Sequence, residues 1–197
     1  MEKIDIIKTI KDGCTLGFKN FWPLLLTSLL YVLTCWIPYV NAGTTVGFYK
    51  AIIAIGKGEK IDPLAIFNKE NYAYFSDFFL LMGLMCMGMI VAGLLFITPV
   101  MAIAWMFAIY FLIDKKLPAL KALNLSYKVT LGEKWRILAI LLLCWLAIGI
   151  ATAIFAWIPF IGWLFVLAII VLSMAIMMAV QSVMFNHFNK KADAIAE

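Results

Sequence analysis

Few side chains in this sequence are equipped for chemistry, and they are scattered. The single histidine, His187, follows the last long apolar stretch. No Asp or Glu stands at helical spacing to orient it, so it reads as an interfacial histidine rather than a general acid or base. No Ser-His-Asp set, zinc-ligand spacing or glycine-rich phosphate loop occurs. All 11 carboxylates lie in charge-bearing stretches, none inside an apolar block. A charge at mid-bilayer costs roughly 3 kcal/mol and is kept for function, so this distribution argues against an ion-coupled pump. It leaves open a passive pore lined by backbone, Thr, Ser or Asn groups. Neither an enzymatic activity nor a cofactor is expected.

The remaining candidates are softer. Met82, Met85, Cys86 and Met89 fall on one helical face. Thioether and thiolate sulfur selects Cu(I), but Met is also an adaptable packing residue, and this chain has 11 of them. Packing is the expected role, with soft-metal transport as the remote one. Cys14, Cys35 and Cys144 are too dispersed for a disulfide framework. Gly43, Gly47 and Ala51 form a flat stripe at helical spacing, echoed at Gly149/Ala153 and Ala175/Ala179. Such stripes let helix backbones approach closely. They are read as helix-packing sites, within this chain or against a partner chain or second copy. Asn41, Thr44 and Thr45 beside the first stripe are the candidates for a small ligand. Lys50 can snorkel to the inner interface, or line a solute path with them.

These residues must be positioned by a membrane fold. The chain has 197 residues, 65% hydrophobic and 14% charged, with net charge +5; an average soluble domain is about 25% charged. Disordered, collagen-like and disulfide-scaffold classes are excluded by the same composition. Charges cluster at 2–19, 57–77, 114–136 and 190–197, with only Lys50 outside. Between them lie apolar blocks 20–56, 78–113 and 137–189. As one helix, the second block would run about 54 Å, far beyond a hydrocarbon core about 30 Å thick. Each block therefore reads as a helical hairpin. All four charged stretches carry Lys or Arg, and the positive-inside rule puts every one in the cytoplasm. That requires an even number of crossings per block. The expectation is an all-α integral membrane protein of about six transmembrane helices in three hairpins, with both termini cytoplasmic.

In detail, 1–19 is an interfacial helix, 20–56 hairpin one, and 57–77 a cytoplasmic loop with a short helix. Hairpin two covers 78–113, a cytoplasmic amphipathic helix 114–136, hairpin three 137–189, and a tail 190–197. Turns are expected at 37–43, near Thr98-Pro99, and at 158–162. This leaves 44–55 as a short helix of about 18 Å. Ile4, Ile7, Ile10, Cys14 and Phe18 share one face of the first interfacial helix; Leu120, Leu123, Tyr127 and Leu131 do so in the second. Trp36, Tyr39, Trp157 and Trp163 suit an outer aromatic belt. Phe21, Trp22, Tyr72, Tyr74, Phe75, Tyr110, Trp135, Phe185 and Phe188 suit an inner one. Residues 1–19 are too charged for a signal peptide. Thr15-Leu16-Gly17-Phe18-Lys19 with Trp36-Ile37-Pro38 is echoed by Thr130-Leu131-Gly132-Glu133-Lys134 with Trp157-Ile158-Pro159, as if hairpins one and three were related.

Several short motifs occur in a suggestive order: Asn41-x-Gly43-x-x-x-Gly47, Gly56-x-Gly58-Glu59, Asp62-Pro63-Leu64-x-x-Phe67, Pro99, Asp114, Ala119-x-x-Ala122-Leu123-x-x-Ser126, Gly132 near Lys134-Trp135, and Ile158-Pro159-x-Ile161-Gly162. In this the chain resembles a group of uncharacterised bacterial multi-spanning membrane proteins, akin to the membrane domain attached to some glycerophosphodiester phosphodiesterases. The resemblance covers most of 15–186. It implies a six-helix protein of the bacterial inner membrane and no particular reaction. Expected partners are membrane lipids, including anionic headgroups at the basic cytoplasmic rim, and a membrane-protein partner or second copy. Nucleic acid is not expected, because the basic residues flank apolar blocks. The first functional expectation is a non-enzymatic membrane subunit or scaffold. The alternative is a small channel or facilitator near Asn41.

Overall fold

The computed structural model describes residues 3–158 and 162–196. Its helices are α1 (Ile6–Lys19), α2 (Phe21–Thr34), α3 (Pro38–Lys57), α4 (Phe75–Leu94), α5 (Thr98–Trp105), α6 (Ala108–Asp114), α7 (Ala119–Thr130), α8 (Lys134–Ala156) and α9 (Gly162–Ala196). Two 3-10 segments, Pro63–Phe67 and Lys69–Tyr74, join α3 to α4. No strand occurs among the described residues. Among the described residues, three helical stretches are long and apolar enough to cross a membrane: Lys69–Leu94, Lys134–Ala156 and Gly162–Ile195. A fourth is possible if α1 and α2, bent by 85°, count as one span. The stretch Thr98–Asp114 is apolar but shorter.

The helix α9 organises the rest. Its 35 residues run about 52 Å. Its first half shows Trp163, Leu164, Phe165, Leu167 and Ile170 at the surface. From Ala175 onward it buries Ala175, Met178, Ala179, Val180, Met184, Phe185, Phe188 and Ala192. Polar ties attach that part to other elements. Ser182 Oγ donates to the Ile52 carbonyl at 2.5 Å, and the Asn186 amide donates to the Gly56 carbonyl. Asn189 donates to Asp114 at 3.0 Å, and Asp193 pairs with Lys115. Away from this packed base, α4, α8 and the start of α9 carry apolar residues outward. Phe96 and Trp157, near the far ends of α4 and α8, are 93% and 88% exposed.

The faces that pack in α1 and α7 are rich in small residues, and part of each expected interfacial apolar face stays outward. In α1 the buried positions are Thr9, Gly13 and Gly17, while Ile7 and Phe18 are 79% and 59% exposed. A Cβ on Gly13 would stand 2.9 Å from Val180 Cα, and one on Gly17 3.1 Å from Ile176 Cα. The Thr9-Gly13-Gly17 stripe thus seats α1 on the Ala175/Ala179 surface of α9. Close backbone approach outweighed side-chain apolarity, because exposed Ile and Phe are inexpensive where lipid is the neighbour. Similarly, α7 buries Ala119, Ala122, Leu123, Ser126, Val129 and Thr130 and exposes Leu120, Tyr127 and Leu131. Of the expected inner belt, Tyr110, Phe185 and Phe188 are buried instead. Tyr110 and Phe185 stack at 5.0 Å, and Phe188 packs on Phe107.

The short helix expected at 44–55 is also corrected. Helix α3 begins at Pro38, whose fixed φ suits the first helical turn, and runs 20 residues. Asn41 and Gly43, expected in the turn, lie inside it. It ends at Gly58, at φ 77. The expected turn at 158–162 falls largely outside the described residues. The two TLGxK sequences diverge in structure: Gly17 is helical, whereas Gly132 has φ 81 and breaks the chain between α7 and α8.

The break between α5 and α6 is held by Ser126, fully buried on α7. Its hydroxyl donates to the Ala104 carbonyl at 2.7 Å and accepts from the Phe107 amide at 3.3 Å. Ser126→Ala leaves a buried amide unsatisfied and should cost about 1–2 kcal/mol. Thermal unfolding in detergent checks this; an unchanged midpoint would mean that the break is held by packing alone.

Candidate functional site

The most developed polar site is built on the glycine face of α3. A Cβ on Gly43 would stand 2.5 Å from Tyr72 Cζ, and one on Gly47 2.5 Å from Ile66 Cα. The stripe Gly43, Gly47 and Ala51 therefore lies in the packed base, and its glycines receive the two 3-10 segments of this same chain. Those segments are shaped locally. Asp62 caps the first by accepting from the Leu64 amide at 3.0 Å, and Asn68 caps the second by accepting from Glu70 at 3.1 Å. Asn71, buried against Gly47, ties them together. Its Nδ2 donates to the Ala65 and Ile66 carbonyls, both at 3.0 Å. Its Oδ1 accepts from Lys50 Nζ at 2.9 Å.

Lys50 is thus aimed out of α3, with its ammonium also 5.1 Å from the centre of the Tyr74 ring. Around it opens a cleft of about 390 Å³, lined by Lys50, Glu70, Tyr74, Asp77, Leu112 and Lys116 among others. Asp77 sits in the first turn of α4. Lys116 follows α6 in the left-handed region, at φ 52, where non-glycine residues are uncommon. The sequence singled out Lys50 but missed Glu70, Asn71, Asp77 and Lys116. They belong to three stretches that the fold brings together, and only the step from charged to apolar sequence at Asp77 and Lys116 hinted at a shared level.

The other candidates lie elsewhere. Thr45 Oγ1 is 2.8 Å from Asn41 Oδ1 and 3.4 Å from the Tyr31 hydroxyl, on the side of α3 facing α2. Thr44 donates back to its own helix, to the Val40 carbonyl at 3.1 Å. Nine residues along a helix turn through about 180°, so Asn41 and Lys50 project from opposite sides of α3. Asn41, Thr44, Thr45 and Lys50 do not converge. On α4, Met82 and Met85 pack against the core, Met89 is half-buried and Cys86 is exposed. Among the described residues, no group of three or more His, Cys, Asp or Glu side chains is placed to hold a metal ion.

A second polar centre surrounds Glu133, 4% exposed at the α7–α8 turn. Its carboxylate accepts from the Ile4 amide at 2.8 Å and from Lys191 Nζ at 2.7 Å, and it lies 3.6 Å from His187 Nε2. Arg136 donates to the Ile4 carbonyl at 2.8 Å. A carboxylate therefore does lie near His187, supplied across the fold rather than along its own helix. Burial pushes the Glu133 carboxyl up. The Lys191 and Ile4 hydrogen bonds and the nearby Lys191 and His187 charges outweigh it and hold the group below its ordinary value. This centre fastens the start of the chain, the α7–α8 turn and the end of α9 to one another.

Comparison of the chain with family models, curated proteins and solved structures gave no match.

Proposed function

We propose that this chain is a multi-pass membrane protein without catalytic activity, serving as a scaffold or subunit that binds lipids or membrane-protein partners. In this reading α2, α3, α4, the α5–α6 pair, α8 and α9 make six crossings in three hairpins, with both termini on the cytoplasmic side. Helix α3 is shielded by its neighbours, and the 3-10 segments reach back along it into the membrane, since Tyr72 meets Gly43 and Ile66 meets Gly47. The resemblance to bacterial multi-spanning membrane proteins favours the inner membrane of a bacterium. Lysines along the cytoplasmic rim would attract anionic headgroups, at about 1 kcal/mol each.

One observation carries the reading. Ser126, Ser182, Asn189 and Lys191 tie the elements of the base together, while the outward faces of α4, α8 and α9 are apolar. A channel through Asn41 and Lys50 loses support, because those residues project from opposite sides of α3. Native mass spectrometry of the protein, gently extracted from its own membrane, tests the proposal. A stoichiometric protein partner or retained lipid is expected. A bare chain that conducts solute when placed in liposomes would overturn the scaffold reading in favour of a channel.

A further inference from the structure

Resting on the membrane reading above, we propose that the cleft around Lys50 holds a zwitterionic headgroup of the phosphoethanolamine class, a phosphate joined to a primary amine. Four formal charges line it, Lys50 and Lys116 positive, Glu70 and Asp77 negative. Glu70 and Lys116 are near enough to act on the Lys50 charge. A purely anionic headgroup would take up the two lysines and leave the two carboxylates without their counter-charges. A headgroup carrying both signs satisfies all four. Its phosphate would take Lys50 and Lys116, and its ammonium Glu70 and Asp77.

The amine should be primary. A primary ammonium offers three N–H donors to the carboxylates, whereas a quaternary one offers none and prefers a cage of aromatic faces. Here Tyr74 is the one aromatic ring lining the cleft. The size also fits. A cleft of about 390 Å³ is at the small end of ligand sites. Its position suits a lipid, because Asp77 and Lys116 stand where α4 begins and α6 has ended, at the junction of charged and apolar sequence. Along α4, Leu80 lies on the same side as Asp77, is exposed, and offers an apolar flank for acyl chains.

The test uses delipidated full-length protein in detergent, read by native mass spectrometry. Phosphatidylethanolamine, phosphatidylglycerol and phosphatidylcholine are added separately, and soluble phosphoethanolamine is tried as a competitor. Phosphatidylethanolamine should be retained in preference to both others. Glu70→Gln and Lys116→Gln should each weaken that retention by about tenfold, the loss expected for one charge-assisted hydrogen bond. Both residues are exposed, so these variants should fold; the wild-type lipid ranking gives an independent reading if one does not. Competition by phosphoethanolamine would show that a free metabolite can supply the headgroup; its failure, with the lipid retained, would make the source a membrane lipid. Equal retention of all three lipids, or a preference unaffected by both variants, overturns the site while leaving the membrane reading intact. Recovery of the protein from the soluble fraction of its cells would instead overturn the membrane reading.

Discussion

Gly47→Ala should lower the stability of the protein by about 3 kcal/mol, among the largest effects of any single methyl group in the chain. The added carbon would lie 2.5 Å from Ile66 Cα, 3.0 Å from the Ile66 carbonyl oxygen and 2.8 Å from Asn71 Nδ2. Two of those neighbours are backbone and cannot rotate away. The first 3-10 segment must therefore lift from α3. Its departure loosens Asn71, which bonds Ile66, Ala65 and Lys50 at once. Overpacking and the strained Asn71 bonds add together, and Lys50 loses its Asn71 anchor. Gly83→Ala on α4 is the control, since no atom lies within 4 Å of its would-be Cβ. That change should be neutral or slightly stabilising, because Ala favours a helix over Gly. Thermal unfolding of both variants in one detergent decides the matter. Equal midpoints would mean that the 3-10 segments do not sit tightly on α3.

Glu133→Ala should cost about 3 kcal/mol, because removing one partner leaves a largely buried Lys191 without compensation and the Ile4 amide without an acceptor. Glu133→Gln keeps the shape and one acceptor oxygen, and should cost roughly half as much. The same carboxylate predicts an acid sensitivity. Its folded value lies below the ordinary 4.5, so folding favours the charged form. The stability it contributes is fully present above pH 4.5 and is lost as pH falls through the lower folded value. Wild type should therefore lose more stability than Glu133→Gln as the medium is acidified below that point. Parallel acid titrations of unfolding would contradict the assignment.

Much of the architecture is legible in the amino-acid pattern. Charge placement located the long apolar helices, and amphipathic spacing located α1 and α7. What the pattern left unsaid was which faces pack. The Ile and Leu stripes of α1 and α7 were read as faces lying on the membrane interface, which says nothing of the opposite faces. Where lipid is the neighbour, apolar residues lose nothing by pointing outward, and close packing falls to Gly, Ala, Ser and Thr. The Gly13/Gly17 pair was therefore the informative signal in α1, and Ser126 in α7. The helix α3 was cut short because Asn41-Ala42-Gly43 resembles a turn, although Pro38 at a helix start was the stronger mark. The Lys50 cleft and the Glu133 centre were hidden for another reason. Each draws on residues far apart in sequence, Lys50 with Asp77 and Lys116, and Glu133 with Ile4 and Lys191. No local spacing encodes such meetings.

Cysteine accessibility in intact cells tests the central claim most directly: apolar helices cross the membrane and a polar-stitched base lies on the cytoplasmic side. Cys14, Cys35, Cys86 and Cys144 are free and would first be replaced. Single cysteines at Phe96 and Trp157 should then react with a membrane-impermeant reagent from outside. Single cysteines at Lys60 and Lys121 should react only after the cells are permeabilised. Outside labelling at Lys121, or protection at both Phe96 and Trp157 before permeabilisation, would contradict the arrangement of three hairpins over a cytoplasmic base.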